Sequence, residues 1–235
     1  MTLEWQTWPC MQPYLHAKPM RTLSGGTSTA NSISSTNNLT VLSHWFHVIQ
    51  PQQTLEIGLA YGASATLFCE LHRQQGRGGK HHAIDPFQKD NWHGAALAHL
   101  QDSALDSCFT FHADYSSQVL PRLCSQAQTF DLIYIDGSHL FEDVFLDFFY
   151  AHQLLNIGGV LAFDDSSDAN VLKVIRFIRA NFASMYDEHP PYEITRPQSG
   201  RLFRVAAKKL GRQQLTLFLK KASGPRPWIT PLKPF

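Results

Sequence analysis

The sequence predicts an α/β fold: a doubly wound, mostly parallel sheet with helices on both faces and an antiparallel hairpin near its end. Three observations predict it. Short apolar runs alternate with segments of helical periodicity from Thr54 to Phe182, the signature of parallel strands joined by crossover helices. The runs Leu132-Ile133-Tyr134-Ile135 and Val160-Leu161-Ala162-Phe163 are uninterrupted, as in strands buried on both faces. Glycine or aspartate follows where several of these runs stop, and such sheets hold their ligands at the carboxyl ends of strands.

Taken in order, residues 1–38 lack sustained periodicity and form an N-terminal arm, of which the Ser-, Thr- and Gly-rich stretch 22–38 is placed to act as a lid. Asn38 is placed to cap a helix over Leu39–Ile49, which Pro51 stops. Thr54–Ile57 is a strand running into a glycine turn, Ala63–His72 a helix, and Arg73–Lys80 a polar loop. His82–Asp85 is the second strand, with His81-His82 as its solvated start. Gly94–Leu100 is helical, Cys108–His112 a third strand and Val119–Ser125 a weak helix. Phe130–Asp136 is a strong strand. Leu140–Leu155 is an amphipathic helix with Phe141, Val144, Phe145, Phe148 and Phe149 in its apolar stripe and Glu142, Asp143 and Asp147 facing away. Gly158-Gly159 ends it before the strand Val160–Phe163, and Val171–Phe182 is the next helix. Tyr192–Arg196 and Leu202–Ala207 read as the late hairpin. The body of the domain is therefore 39–207. Residues 208–235, with seven Lys or Arg and no Asp or Glu, read as a basic tail.

Composition narrows the function. The 235 residues are 43% hydrophobic and 17% charged, enough for one sizeable core. A net charge of +1 argues against a nucleic-acid-coating protein. The tail does not interleave its basic residues with stacking aromatics, so it reads as solvated or packed on a second subunit of a homo-oligomer. No window reaches the roughly 18 apolar residues of a membrane span, and the first twenty residues lack the apolar core of a secretory signal. Cys10, Cys69, Cys108 and Cys124 have no metal-site spacing and read as reduced thiols of a cytoplasmic protein.

The chemistry concentrates at the predicted strand ends. In Glu56-Ile57-Gly58-Leu59-Ala60-Tyr61-Gly62-Ala63-Ser64, Gly58 and Gly62 permit a tight turn and close approach of a ligand. The dinucleotide fingerprint needs glycine where Ala60 and Ala63 stand, so the turn suits a ligand without a pyrophosphate, with Glu56 accepting or relaying a hydrogen bond. Asp85 ends the second strand, where a carboxylate can accept ribose hydroxyls; an Asp-Pro turn is its structural alternative. Asp114 ends the third strand and is read either as an acceptor for an adenine amino group or as a helix cap.

These stretches resemble the class I S-adenosylmethionine-dependent methyltransferases. Leu55–Ser64 is similar to their first motif and Ala83-Ile84-Asp85-Pro86-Phe87 to their ribose strand, in the family's order. The resemblance covers about 39–207. It implies a Rossmann-like class I methyltransferase fold and S-adenosylmethionine held by Glu56, Gly58, Tyr61, Gly62, Ser64, Asp85, Asp114 and Asp136.

Ile135-Asp136-Gly137-Ser138-His139 and Phe163-Asp164-Asp165 form an acidic cluster if their strands are neighbours. Carboxylates so placed must be protonated, hydrogen-bonded or bridged by a cation, and hard oxygen ligands suit Mg²⁺ or Ca²⁺. The pattern is similar to the small-molecule O-methyltransferase branch related to catechol and macrolide-sugar enzymes. That resemblance implies Mg²⁺ on Asp136, Asp164 and Asp165, His139 as general base beside Asp136, and the hydroxyl of a small molecule as methyl acceptor. Asp164 and Asp165 could instead only cap the next helix, and His139 could be a surface residue. Rival readings are an NAD-dependent oxidoreductase and a non-catalytic nucleoside-binding scaffold.

Overall fold

A computed structural model describes residues 4–190, 214–224 and 230–235. The arm opens with two 3₁₀ turns (Glu4–Thr7, Pro9–Met11) and the short helix α1 (Gln12–Leu15). The hairpin β1 (Pro19–Thr22) and β2 (Gly26–Thr29) follows, where the sequence suggested only loop. The rest alternates as α2 (Thr36–Ile49), β3 (Gln53–Ile57), α3 (Ala63–Gln75), β4 (Lys80–Ile84), α4 (Ala95–Asp102), β5 (Phe109–His112), α5 (Ser116–Ser125), β6 (Phe130–Ile135), α6 (Phe141–Leu154), β7 (Leu155–Phe163) and α7 (Ala169–Asn181). The antiparallel strands β8 (Tyr186–His189) and β9 (Thr216–Lys220) complete the chain.

The main sheet has seven strands in the order β5-β4-β3-β6-β7-β9-β8. Pairings are parallel from β5 through β7, and β9 runs antiparallel to both β7 and β8. The winding reverses between β3 and β6, the crevice position for a ligand in a doubly wound sheet. The α/β architecture and its closing antiparallel hairpin are as the sequence predicts, but the hairpin pairs Tyr186–His189 with Thr216–Lys220. The expected strands at 192–207 lie outside the described residues. Thr216–Lys220, assigned from sequence to the basic tail, is a sheet strand: its Leu217, Phe218 and Leu219 are apolar, which the surrounding lysines and prolines obscured.

Each sheet face carries a core. Leu55, Ile57, Ile133, Ile135, Leu161 and Phe163 pack with residues of α5, α6 and α7 on one side. Leu132, Tyr134, Val160 and Ala162 pack with α2, α3 and the N-terminal arm on the other. Alternate residues of one uninterrupted run thus enter opposite cores, which is why β6 and β7 show no polar face. Two expectations fail by burial. Asp147 does not face solvent but is 1% exposed on α6, because α5 packs over that side, while Phe149 is the exposed residue there. His81 is fully buried, since β4 starts at Lys80, and burial pushes its imidazole down to about 3. Among the described residues no helix is long and apolar enough to cross a membrane, and all four cysteines are unpaired.

Candidate active site

Register gathers the strand ends into one row. Ile57 lies opposite both Ile84 and Ile135, Ile135 opposite Phe163, and Ile84 opposite His112. The next residues, Gly58, Asp85, Asp136 and Asp164, continue the ladder: their amides donate to Ile84, His112, Ile57 and Ile135 carbonyls at 2.9, 3.1, 2.9 and 2.9 Å. Four residues scattered over a hundred positions therefore stand side by side at one sheet edge.

A cavity of about 300 Å³ opens above this row, lined by Gly58, Leu59, Ala60, Ser64, Asp136, His139, Asp164 and Asp165, with Ser34 and Asn38 from the arm and α2. Gly58 has φ +94°, and a Cβ there would collide with the Asp136 carbonyl oxygen; only glycine lets the two turns touch. Ala60 holds φ 44° without being glycine, a strained conformation of the kind that collects at ligand sites.

Asp85 fastens this turn. Its Oδ2 accepts the Leu59 and Ala60 amides at 3.2 and 2.9 Å and Gln88 Nε2 at 3.1 Å, while Oδ1 accepts the Phe87 amide at 2.7 Å. That leaves acceptor capacity on Oδ1 for a further donor. Beneath the turn, Glu56 is fully buried, with Ser64 beside its carboxyl. Burial pushes its carboxyl well above the ordinary range, and His81 Nε2 stands 3.4 Å away.

A second, largely apolar cavity of about 370 Å³ adjoins Asp85, between Pro86, Leu97, Phe111, Ala113 and Leu23 of the hairpin arm. Asp114 does not face it. Its carboxylate pairs with Arg122 at 2.8 Å and accepts the Tyr115 amide at 2.9 Å. Tyr61 also departs from expectation: its hydroxyl meets Ser28 at 2.9 Å and its ring packs edge-on to Trp92. The β1–β2 hairpin, invisible in the periodicity, draws that side chain away from the cavity.

His139 lies half exposed at the rim, with Nε2 3.0 Å from Asp165 Oδ2 and Nδ1 3.8 Å from Asp168 Oδ2. Asp165 sits in the left-handed region at φ 43°. Asp164 is buried, its Oδ1 accepting Asn38 Nδ2 at 2.7 Å and the Asp165 amide at 2.8 Å, its Oδ2 accepting the Tyr134 hydroxyl. Asp136 accepts from Ser34 Oγ at 3.2 Å. Burial holds the Asp136 and Asp164 carboxyls above their usual range, with the Asp164 charge adding to the effect on Asp136.

Mg²⁺ on Asp136, Asp164 and Asp165 is not shown. Among the described residues no three or more His, Cys, Asp or Glu side chains are grouped to hold a metal ion. Both Asp164 oxygens face protein donors, and Asp165 Oδ2 faces His139. Ser34, Asn38, Tyr134 and Asp168 were missed as site residues. They carry no motif, and Ser34 and Asn38 reach the site across 102 and 126 residues of sequence.

Residues 55–166 match the family model described as a methyltransferase domain. The O-methyltransferase TomG of Streptomyces achromogenes, involved in tomaymycin synthesis and solved in complex with SAM, has a similar structure. It has a TM-score of 0.60 and 18% identity over 81% of this chain and 82% of that one. An O-methyltransferase from Bacillus cereus, solved with SAH, gives a TM-score of 0.58 and 16% identity over 81% and 84%. These likenesses are of fold. An uncharacterised protein of Acanthamoeba polyphaga mimivirus is 29% identical over 80 residues, 34% of this chain, which spans about a third of that relative's length (32%).

Proposed function

We propose that this chain, a methyltransferase of the class I fold, moves a methyl group from S-adenosylmethionine to a hydroxyl of a small molecule. The observation that carries the reading is the convergence of Gly58, Asp85, Asp136 and Asp164 on one sheet edge beside the His139–Asp165 pair. Two O-methyltransferases of the same fold were solved with SAM or SAH, which supports the donor.

The donor supplies an electrophilic methyl carbon on a sulfonium. Gly58 and Gly62 would admit its amino-acid end at the turn, above the buried Glu56. Asp85 Oδ1 would take a ribose hydroxyl. The apolar cavity beside Pro86 and Phe111 suits a flat base. Asp114, tied to Arg122, is not assigned to the base.

His139 is assigned the proton. When its Nε2–H donates to Asp165, the lone pair is left on Nδ1, and the imidazolium formed on accepting a proton lies between Asp165 and Asp168. In the transfer the acceptor oxygen bonds to the methyl carbon as the carbon–sulfur bond breaks. The bonding pair goes to sulfur, and the hydroxyl proton goes to His139. No step runs through a cation. A dinucleotide oxidoreductase fits less well, because Ala63 starts α3 where that fingerprint has its third glycine. A binding scaffold would have no use for the His139 pair.

The test is calorimetry with S-adenosylhomocysteine, then transfer of labelled methyl from S-adenosylmethionine to a panel of sugars, phenols and aliphatic alcohols. Binding is expected, and His139→Ala should leave it intact while slowing transfer by roughly 10²–10⁴-fold. No heat with S-adenosylhomocysteine would reject the proposal.

A further inference from the structure

We infer that protein donors take the place of a divalent cation in this site: Tyr134 and Asn38 are positioning residues that fix Asp164, and through it the Asp165–His139 pair, without a resident metal. The inference rests on reading the cavity as the methyl-transfer site.

A carboxylate has about four lone-pair positions. On Asp164 three face protein donors: Asn38 Nδ2 at 2.7 Å, the Asp165 amide at 2.8 Å, and the Tyr134 hydroxyl. Asp165 Oδ2 faces His139 at 3.0 Å, and Asp136 Oδ2 faces Ser34 at 3.2 Å. Tyr134 is fully buried and Asn38 is 5% exposed. A cation could take only the one position left on Oδ2; taking more of Asp164 would strand a buried phenol or a buried amide, each of which loses more by being unpartnered than its hydrogen bond contributed.

The same contacts have a positive role. Asp164 Oδ1 binds the amide of Asp165, the residue held at φ 43°. Tyr134 comes from β6 and Asn38 from α2, two rigid elements on the same side of the sheet. Together they anchor Asp164, Asp164 anchors the strained turn, and the turn presents Asp165 to His139. Ser34 Oγ donates to Asp136 at 3.2 Å and stands 3.0 Å from the Tyr134 hydroxyl, which itself donates to Asp164, so the two hydroxyls lie side by side between the two carboxylates.

The experiment is a titration of Mn²⁺ into the full chain saturated with S-adenosylhomocysteine, following the electron-paramagnetic-resonance signal of the free ion. The wild-type protein is expected to leave the ion free up to about 1 mM, the weak end of oxygen-ligand sites. Tyr134→Phe with Asn38→Ala frees Asp164 and should tighten Mn²⁺ uptake by about tenfold or more; Asp164→Asn in that background should abolish it. Should the double variant fail to fold by circular dichroism, Asn38→Ala alone gives the same reading with a smaller gain. One tightly held Mn²⁺ in the wild type, lost in Asp164→Asn, overturns the inference. So does a folded double variant that gains none. Absence of S-adenosylhomocysteine binding is a separate result, and it counts against the methyl-transfer reading rather than the donor arrangement.

Discussion

Gly58 shows how much one residue fixes. Its φ of +94° and its contact with the Asp136 carbonyl leave no room for a side chain. Gly58→Ala is therefore expected to cost about 2–4 kcal/mol and to weaken S-adenosylhomocysteine binding, as urea denaturation and calorimetry would show. Asp147 is a different single-residue case. Burial raises its carboxyl from 3.8 to about 7, and its Oδ1 has no partner. The folded chain keeps this proton where the unfolded chain has released it, so raising the pH from about 4 to 7 removes stability, and above 7 the loss is complete. Asp147→Asn should be nearly neutral at pH 4 and more stable than wild type by about 2–4 kcal/mol at pH 8, read from denaturation at both values. The position of Gly58, Asp85, Asp136 and Asp164 at the strand ends was legible, because each directly follows the last apolar residue of its run. The burial of Asp147 and His81 was not, since polar character in a sequence does not reveal which neighbour covers it.

Helix ends supply the geometry that single residues exploit. Asp168 caps α7, accepting the Asn170 amide at 2.8 Å and the Val171 amide at 3.4 Å, while its other oxygen lies 3.8 Å from His139. Asp168→Ala should lower stability by about 1 kcal/mol, whereas Asp168→Asn should retain the cap; urea midpoints of the two variants check this. Ser35, not Asn38, caps α2, and this frees the Asn38 amide to reach Asp164. The sequence placed that helix almost correctly but gave Asn38 the wrong task, because local spacing cannot separate a cap from a long-range donor. The β1–β2 hairpin escaped notice for a related reason. Each strand is only four residues long and β2 has no buried residue, so periodicity had little to report, and the contact of Tyr61 with Ser28 had no local signal.

Across the whole molecule, the reversal of strand order between β3 and β6 makes one crevice from residues far apart in the chain. If the crevice binds the demethylated donor only when folded, S-adenosylhomocysteine at about 100 times its Kd should add about 2.7 kcal/mol. For a chain of this size, that raises Tm by roughly 5–10 °C in a thermal melt. The amino-acid sequence by itself determined the α/β alternation, the parallel direction of the central strands and the residues at their ends, because hydrophobic periodicity and glycine turns are local properties of the chain. Only the tertiary structure decided which donors meet the carboxylates: Ser34, Asn38 and Tyr134 reach Asp136 and Asp164 through chain folding, and hydrogen bonding between distant segments leaves no periodic trace.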